Sequence, residues 1–248
     1  DMEALIPGLD ELAKEKGYSK IFGKIRPFFL PCFILNGYKI EAFIPGYFCG
    51  KEDCIIVSKF LDKNRAVADK AELAAFFKLR NQERNNPGVS QPAGCRNNFV
   101  KLLPEDARAI SEVFKKIFIS YPFPVHDPAY IIRNMESNKL IYFGVKEEGK
   151  LIGVSAAETD KAEKNAEMTD FAVLPQYRGR GLAGQLLSYM EETMKPAGVK
   201  TLYTIARLRE PGINKIFINA GYRYTGTLIN NTNISGSIES MNIFYKNI

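Results

Sequence analysis

The segment from Glu167 to Ala183, EMTDFAVLPQYRGRGLA, restricts the possible folds of this chain more than any other stretch. A strand-like run enters a basic, glycine-bearing turn. That turn opens a helix whose Leu182, Leu186, Leu187 and Met190 fall on one face. Gly179 and Gly181 remove side chains where a ligand would have to approach the backbone. The N–H groups from Arg178 through Gly179, Arg180, Gly181 and Leu182 to Ala183 can then converge on phosphate oxygens, because a helix N-terminus carries unsatisfied donors and favours negative charge. Arg178 and Arg180 add formal charge. The glycine spacing differs from that of a dinucleotide fingerprint, and no Gly-Lys-Ser/Thr follows as in a nucleotide-binding P-loop.

Around this turn the sequence predicts an alternating order of elements. Residues 99–103 read as a short strand. Pro104, Glu105 and Asp106 open a helix with apolar positions at Ile110, Val113, Phe114 and Ile117. A second helix is expected over 128–135, and strands over 140–145 and 151–157, joined by the hairpin signal EEGK. Residues 168–174 form a strand, 181–194 a helix, 201–206 a strand and 213–220 a helix. Strands at 222–229 and 238–246 follow. Such an order is a mixed α/β fold around one sheet. Upstream, 66–79 has helical spacing, and the Asn-, Pro- and Gly-rich residues 81–98 read as a linker. The expected division is therefore an N-terminal α/β domain over 1–80, a linker over 81–98 and a second domain over 99–248.

The first part echoes the last. Phe33, Gly37 and Tyr38 stand against Phe217, Gly221 and Tyr222 at one constant offset of 184 positions. Both sets follow a helix and precede two strands. Residues 1 to about 62 are therefore expected to be a degenerate half-copy of the later domain, without its glycine turn.

The chain has 34 Lys and Arg against 28 Asp and Glu, a net charge of +6, which favours anionic partners. The basic residues are scattered, so a phosphorylated cofactor fits better than nucleic acid. Hydrophobic residues make up 46%, enough for a sizeable core, and no apolar run is long enough to span a bilayer. No signal-peptide pattern opens the sequence, and a cytoplasmic location is expected. The four cysteines, Cys32, Cys49, Cys54 and Cys95, lack zinc-ligand spacing, and His126 is the single histidine. No metal is expected, and a Ser-His or Cys-His nucleophile is disfavoured. The expected oligomeric state is monomer or homodimer.

The turn, as Gln176-x-x-Gly179-x-Gly181, resembles the Gln/Arg-x-x-Gly-x-Gly/Ala loop of the GCN5-related N-acetyltransferase superfamily. The resemblance spans roughly the last 150 residues, in the superfamily's element order. It implies that acetyl-CoA is the co-substrate and lies between the strands at 168–174 and 201–206. It also implies that the backbone of Ala172 and Val173 pairs with the pantetheine and that the pyrophosphate sits on Arg178 to Ala183. Asn214 is the candidate cofactor contact on the following helix. The reaction implied is direct attack of a free amine on the thioester. An alkyl ammonium, with pKa near 10.4, must first lose a proton, and a carboxylate is the usual base. Glu167, six residues before Val173, is the favoured base and Asp170 its competitor; the plainer reading of Glu167 is a surface carboxylate at a strand start. Three apart on a strand, the two should point to opposite faces. Phe217 stands where many superfamily members carry a proton-donating tyrosine, which leaves Tyr222, Tyr224, water or unassisted thiolate departure.

The Asn- and Ser-rich tail, together with Ile44-Pro45-Gly46-Tyr47-Phe48, is similar to the β-lysine N6-acetyltransferases over the whole chain. That resemblance implies acetylation of the terminal amine of L-β-lysine to give an osmolyte. A site for two ammonium groups and a carboxylate needs anions and amides. Asp170, Glu239, Asn231 and Asn233 are the candidates, although a structural hairpin accounts for any one of them. Competing readings are another amine acceptor (a polyamine, lysine or a protein lysine) and a non-catalytic acetyl-CoA-sensing module.

Overall fold

The computed structural model describes residues 2–85 and 98–248. Two sheets carry the chain. The first part contains α1 (Met2–Glu15), β1 (Lys20–Ile25), α2 (Leu30–Leu35), β2 (Lys39–Phe48) and β3 (Glu52–Phe60), with a three-stranded antiparallel sheet ordered β1-β3-β2. Helix α3 (Lys70–Asn85) follows and continues five residues into the expected linker; the rest of that linker, 86–97, lies outside the described residues. Cys95 falls within that stretch.

The second part runs β4 (Phe99–Lys101), α4 (Ala107–Ile117), α5 (Pro128–Glu136), β5 (Leu140–Glu147), β6 (Lys150–Asp160), β7 (Asn165–Val173), α6 (Leu182–Met194), β8 (Thr201–Arg207), α7 (Pro211–Asn219), β9 (Arg223–Ile234) and β10 (Ser237–Asn247). Its seven-stranded sheet is ordered β4-β5-β6-β7-β8-β10-β9. Local chemistry explains the boundaries. The Asp106 carboxylate accepts the Leu103 N–H before α4, and Asp127 accepts the Ala129 N–H to cap α5. Glu148 and Gly149, both at positive φ, make the β5–β6 turn, and Ser235 and Gly236 make the β9–β10 turn in the same way. Strand β9 runs on to Ile234, beyond the expected end at 229, because the apolar-polar alternation continues through the asparagines.

Each face of the large sheet has its own cover. On one face Leu186, Leu187 and Met190 of α6, Phe217 of α7 and Phe76 of α3 bury Met168, Leu202 and Phe244. On the other, α4 and α5 cover β5 to β7 through Ile110, Phe114 and Ile131, against Tyr142, Val154 and Ala172. The rest of that second face, β8, β10 and β9, is covered by the three-stranded sheet: Ala42, Ile44, Tyr47 and Ile56 meet Tyr203, Leu228, Met241 and Ile243. The two backbones touch at Gly226, where an added Cβ would lie 2.0 Å from the Glu41 carbonyl oxygen. Two-sided burial of this sheet thus depends on the N-terminal unit.

Candidate active site

Strands β7 and β8 are parallel and share only three register pairs, from Asn165–Thr201 to Glu167–Tyr203. Beyond Glu167 they part, leaving a slot that closes at that residue. Two features of β7 hold the slot open. Asp170 is left-handed (φ 56°), and the register with β6 slips between Val154 and Ala156, which marks a β-bulge. After the bulge, Ala172 pairs with Val154 and the Leu174 N–H reaches the Ile152 carbonyl. In an antiparallel ladder that alternation turns the backbone groups of Phe171 and Val173 toward the slot and those of Ala172 toward β6. The Val173 carbonyl indeed accepts the Arg178 Nε–H at 3.2 Å. The expected pantetheine-facing pair is thus corrected: Val173 faces the slot, and Ala172 is spent within the sheet.

The bulge also overturns the expectation that Glu167 and Asp170 face opposite ways. Before it, Ala166 and Met168 face α6; after it, Phe171 and Val173 do. The extra residue shifts the alternation, so both carboxylates emerge on the α4 and α5 face. Asp170 accepts a hydrogen bond from the Tyr121 hydroxyl and one from Thr169 Oγ1 at 3.3 Å. Burial raises its pKa, an effect the two hydroxyls partly offset. Glu167, with its side chain 14% exposed, lies at the closed end with Lys24 Nζ 3.9 Å away. Burial pushes its pKa up to about 7, against the pull of the Lys24 charge and the Tyr203 hydroxyl.

From this slot a continuous cleft of about 1370 Å³ runs between α6 and α7. Asp170, Tyr121, Thr204, Arg207 and Met241 line one end; Arg178, Gly179, Gly181, Leu182, Ala183 and Ile213 line the other. Gly179 and Gly181 both take positive φ, 80° and 71°, as a turn with converging amides requires. The first helical hydrogen bond of α6 is Gln185 N–H to the Gly181 carbonyl, so the amides before it are free of helix partners. Arg178 is the exception, its N–H reaching the Pro175 carbonyl. Arg180 pairs with exposed Glu147 at 2.6 Å. The loop therefore presents backbone donors, an arrangement that fits a pyrophosphate.

Other expected residues serve the framework. Asn214 is fully buried: its Nδ2 donates to the carbonyls of Arg207, Leu208 and Glu210, and its Oδ1 accepts from Asn242. It ties the β8–α7 turn and does not line the cleft. Glu239, 1% exposed, forms a two-pronged ion pair with Arg207 at 2.6 and 2.8 Å. Asn231 sits in a stretch clamped from the N-terminal unit, where Arg65 donates to the carbonyls of Asn230 and Asn231; Asn233 is exposed. Phe217 is fully buried against Phe171 and Phe244, Tyr222 packs on it, and the Tyr224 hydroxyl meets Thr227. The cleft is lined instead by Tyr121, Tyr177 and Tyr189. Tyr121 was missed in the sequence because it sits in a proline-rich loop, 49 positions from its carboxylate partner. That loop is held over the site where Ser120 accepts the N–H groups of Ser235 and Gly236 from the β9–β10 turn. Among the described residues no cluster could hold a metal ion, and no helix is long and apolar enough to cross a membrane.

An opened parallel strand pair, a bulge and an amide-lined turn at a helix start define an acyl-CoA site, and residues 108–214 match the acetyltransferase (GNAT) family. The chain belongs to that family and is an acetyl-CoA-dependent N-acetyltransferase. It is 38% identical to the β-lysine N(6)-acetyltransferase of Methanococcus maripaludis, over 99% of this chain and 89% of the relative. It is 32% identical to the enzyme of the same name from Methanosarcina mazei, over 84% of this chain and 83% of that one. In fold it is similar to the ribosomal-protein-alanine N-acetyltransferase of Brucella melitensis, with TM-score 0.53 and 14% identity, over 60% of this chain and 99% of that chain.

Proposed function

We propose that this protein transfers the acetyl group of acetyl-CoA to the N6 amine of L-β-lysine, yielding the osmolyte N-ε-acetyl-β-lysine in the cytoplasm. The observation that carries the reading is the pair of carboxylates, Glu167 and Asp170, brought to one face at the slot and matched to a substrate with two ammonium groups. Likeness to β-lysine enzymes along nearly the whole chain supports it. Glu167, with a pKa near 7, is poised to take the ammonium proton through water at neutral pH. The freed amine then attacks the thioester carbonyl, forming the C–N bond. The Phe171 and Val173 amides at the slot edge stabilise the oxyanion; as it collapses the C–S bond breaks, the nitrogen gives up its second proton, and the departing thiolate takes up a proton to leave as CoA. Asp170, held by Tyr121, lines the approach of the amine. Tyr222 and Tyr224 take no part, and Asn231, Asn233 and Glu239 shape the hairpin wall. The chain is organised as an N-terminal α/β domain within 1–80 and the acetyltransferase domain over 99–248.

The test is CoA release with β-lysine, α-lysine, spermidine and a lysine peptide. Turnover selective for β-lysine is expected. Turnover of a different amine alone would move the assignment to that amine. Acetyl-CoA binding, seen as thermal stabilisation without turnover of any amine, would establish a sensing module instead.

A further inference from the structure

The N-terminal sheet does more than cover β8 to β10. One of its lysines, Lys24 on β1, crosses the sheet-to-sheet contact. Its Nζ donates to the Tyr203 hydroxyl at 2.7 Å and lies 4.6 Å from the Tyr203 ring centroid and 5.7 Å from that of Tyr47. It stands 3.9 Å from Glu167 Oε2. We propose that the N-terminal unit completes the acetyl-transfer site through Lys24, which is a positioning residue for Glu167. The inference rests on the reading of Glu167 as the base.

The geometry separates this contact from an ordinary ion pair. The neighbouring Lys20 and Glu41, on the same sheet, touch at 2.7 Å and are both buried. There the lysine occupies the carboxylate. Lys24 is anchored on Tyr203 and two aromatic faces and stops about one ångström farther out. It is near enough to act by charge and too far to occupy the oxygen lone pairs needed for an incoming proton. The groups facing Glu167 make that charge consequential. The carboxylates Glu158 from β6 and Asp170 from β7 oppose its ionisation; Tyr121 from the α4–α5 loop and Tyr203 from β8 are phenols. Lys24 is the cation of the group. Burial works against its ammonium, yet Glu167 and the neighbouring groups outweigh that and keep it protonated. Removing the cation leaves the carboxylate facing burial and two like charges, so it holds its proton to higher pH.

The experiment is the pH dependence of kcat/KM for β-lysine in the full chain, for the parent, Lys24→Met, Lys24→Gln, Lys24→Arg and Glu167→Gln. In Lys24→Met the acid limb should move upward by about one pH unit or more. Its alkaline plateau should stay within about threefold of the parent, because the base is intact once ionised. The KM for acetyl-CoA should be unchanged, and Lys24→Arg should restore the limb. Lys24→Gln, which removes the same charge but keeps a polar side chain, should displace the limb the same way, and it carries the test if Lys24→Met does not fold. A limb that vanishes in Glu167→Gln but stays in place in Lys24→Met and Lys24→Gln overturns this inference alone. A limb that persists in Glu167→Gln overturns the reading of Glu167, and this inference with it.

Discussion

The two ends of the chain are built on one plan and put to different uses. α1-β1-α2-β2-β3 repeats the order α6-β8-α7-β9-β10, and the strand order β1-β3-β2 repeats β8-β10-β9. The agreement reaches single hydrogen bonds. Gly17 and Gly198 end the first helix of each unit with matching bonds, to Lys14 and Lys195. Gly37 and Gly221, at φ 81° and 82°, end the second. The aromatic pairs Phe33–Tyr38 and Phe217–Tyr222 meet edge to face at 4.9 and 5.0 Å. Above each tyrosine ring sits a lysine, Lys59 or Lys246, ion-paired with a carboxylate of the first helix, Asp10 or Glu191. What differs is the neighbour of the first strand. β8 runs beside β7 and opens the slot with it, whereas β1 is an edge strand whose Lys24, with Arg26 just after the strand, reaches across to Glu167 and Glu163 respectively. A repeated scaffold thus keeps its packing chemistry while its edge passes from making a cofactor slot to serving one.

The largest effect should come where the units meet. Lys20 and Glu41 are 2% and 6% exposed, and Glu41 also accepts the Ile229 N–H, while Lys20 donates to the Ile229 carbonyl. Lys20→Met should cost about 3–5 kcal/mol, the cost of stranding a buried charge. Lys59→Met, breaking the partly exposed pair within the N-terminal unit, should cost about 1 kcal/mol or less. Urea denaturation checks both, and equal costs would break the distinction between a pair buried against the second unit and one left partly exposed.

An intermediate effect concerns Glu167, on β7, a strand with no counterpart in the N-terminal unit. Its folded pKa of about 7 lies above the ordinary carboxylate value, so between about pH 4.5 and 7 the folded state binds more protons than the unfolded chain. Stability therefore falls as pH rises through that window. Glu167→Gln removes the burden and should be more stable than the parent by about 1–3 kcal/mol at pH 8, with the gain lost near pH 4.5. The same variant should lose about 10²–10⁴-fold in kcat. Melting curves at the two pH values check the first claim, and a variant less stable than the parent at pH 8 would contradict it.

The smallest effect sharpens the repeat. Neither Gly37 nor Gly221 meets a close neighbour where a Cβ would stand; the nearest, Lys59 Cε, is 3.8 Å from that of Gly37. Alanine at either should therefore cost only the left-handed conformation, about 1 kcal/mol, and the same amount at both. Unequal losses would show that the two units hold their helix ends differently.

Much of this was legible in the sequence, because it is written in local chemistry. The Gly179–Gly181 turn, the period of α6, the EEGK hairpin and the Gly37/Gly221 echo each depend on a few neighbouring residues whose backbone preferences leave little choice. The amide-lined turn followed from them, and the resemblance of that turn to the superfamily's loop implied the cofactor. The carboxylate pair did not, because strand alternation assigns faces only while the strand is regular, and one left-handed residue at Asp170 put Glu167 and Asp170 on one face. Asn214 looked like a cofactor contact because the family resemblance put a contact on that helix. Its burial, which depends on where the β8–α7 turn passes, made it a structural tie. Tyr121 and Lys24 lie 49 and 143 positions from the carboxylates they serve, and no local pattern marks either. The sequence by itself determined the elements, the repeat and the anion-binding turn, since these follow from short-range sterics and hydrogen bonding. The tertiary structure alone decided which side chains share the slot, since that depends on a bulge and on two sheets stacking face to face.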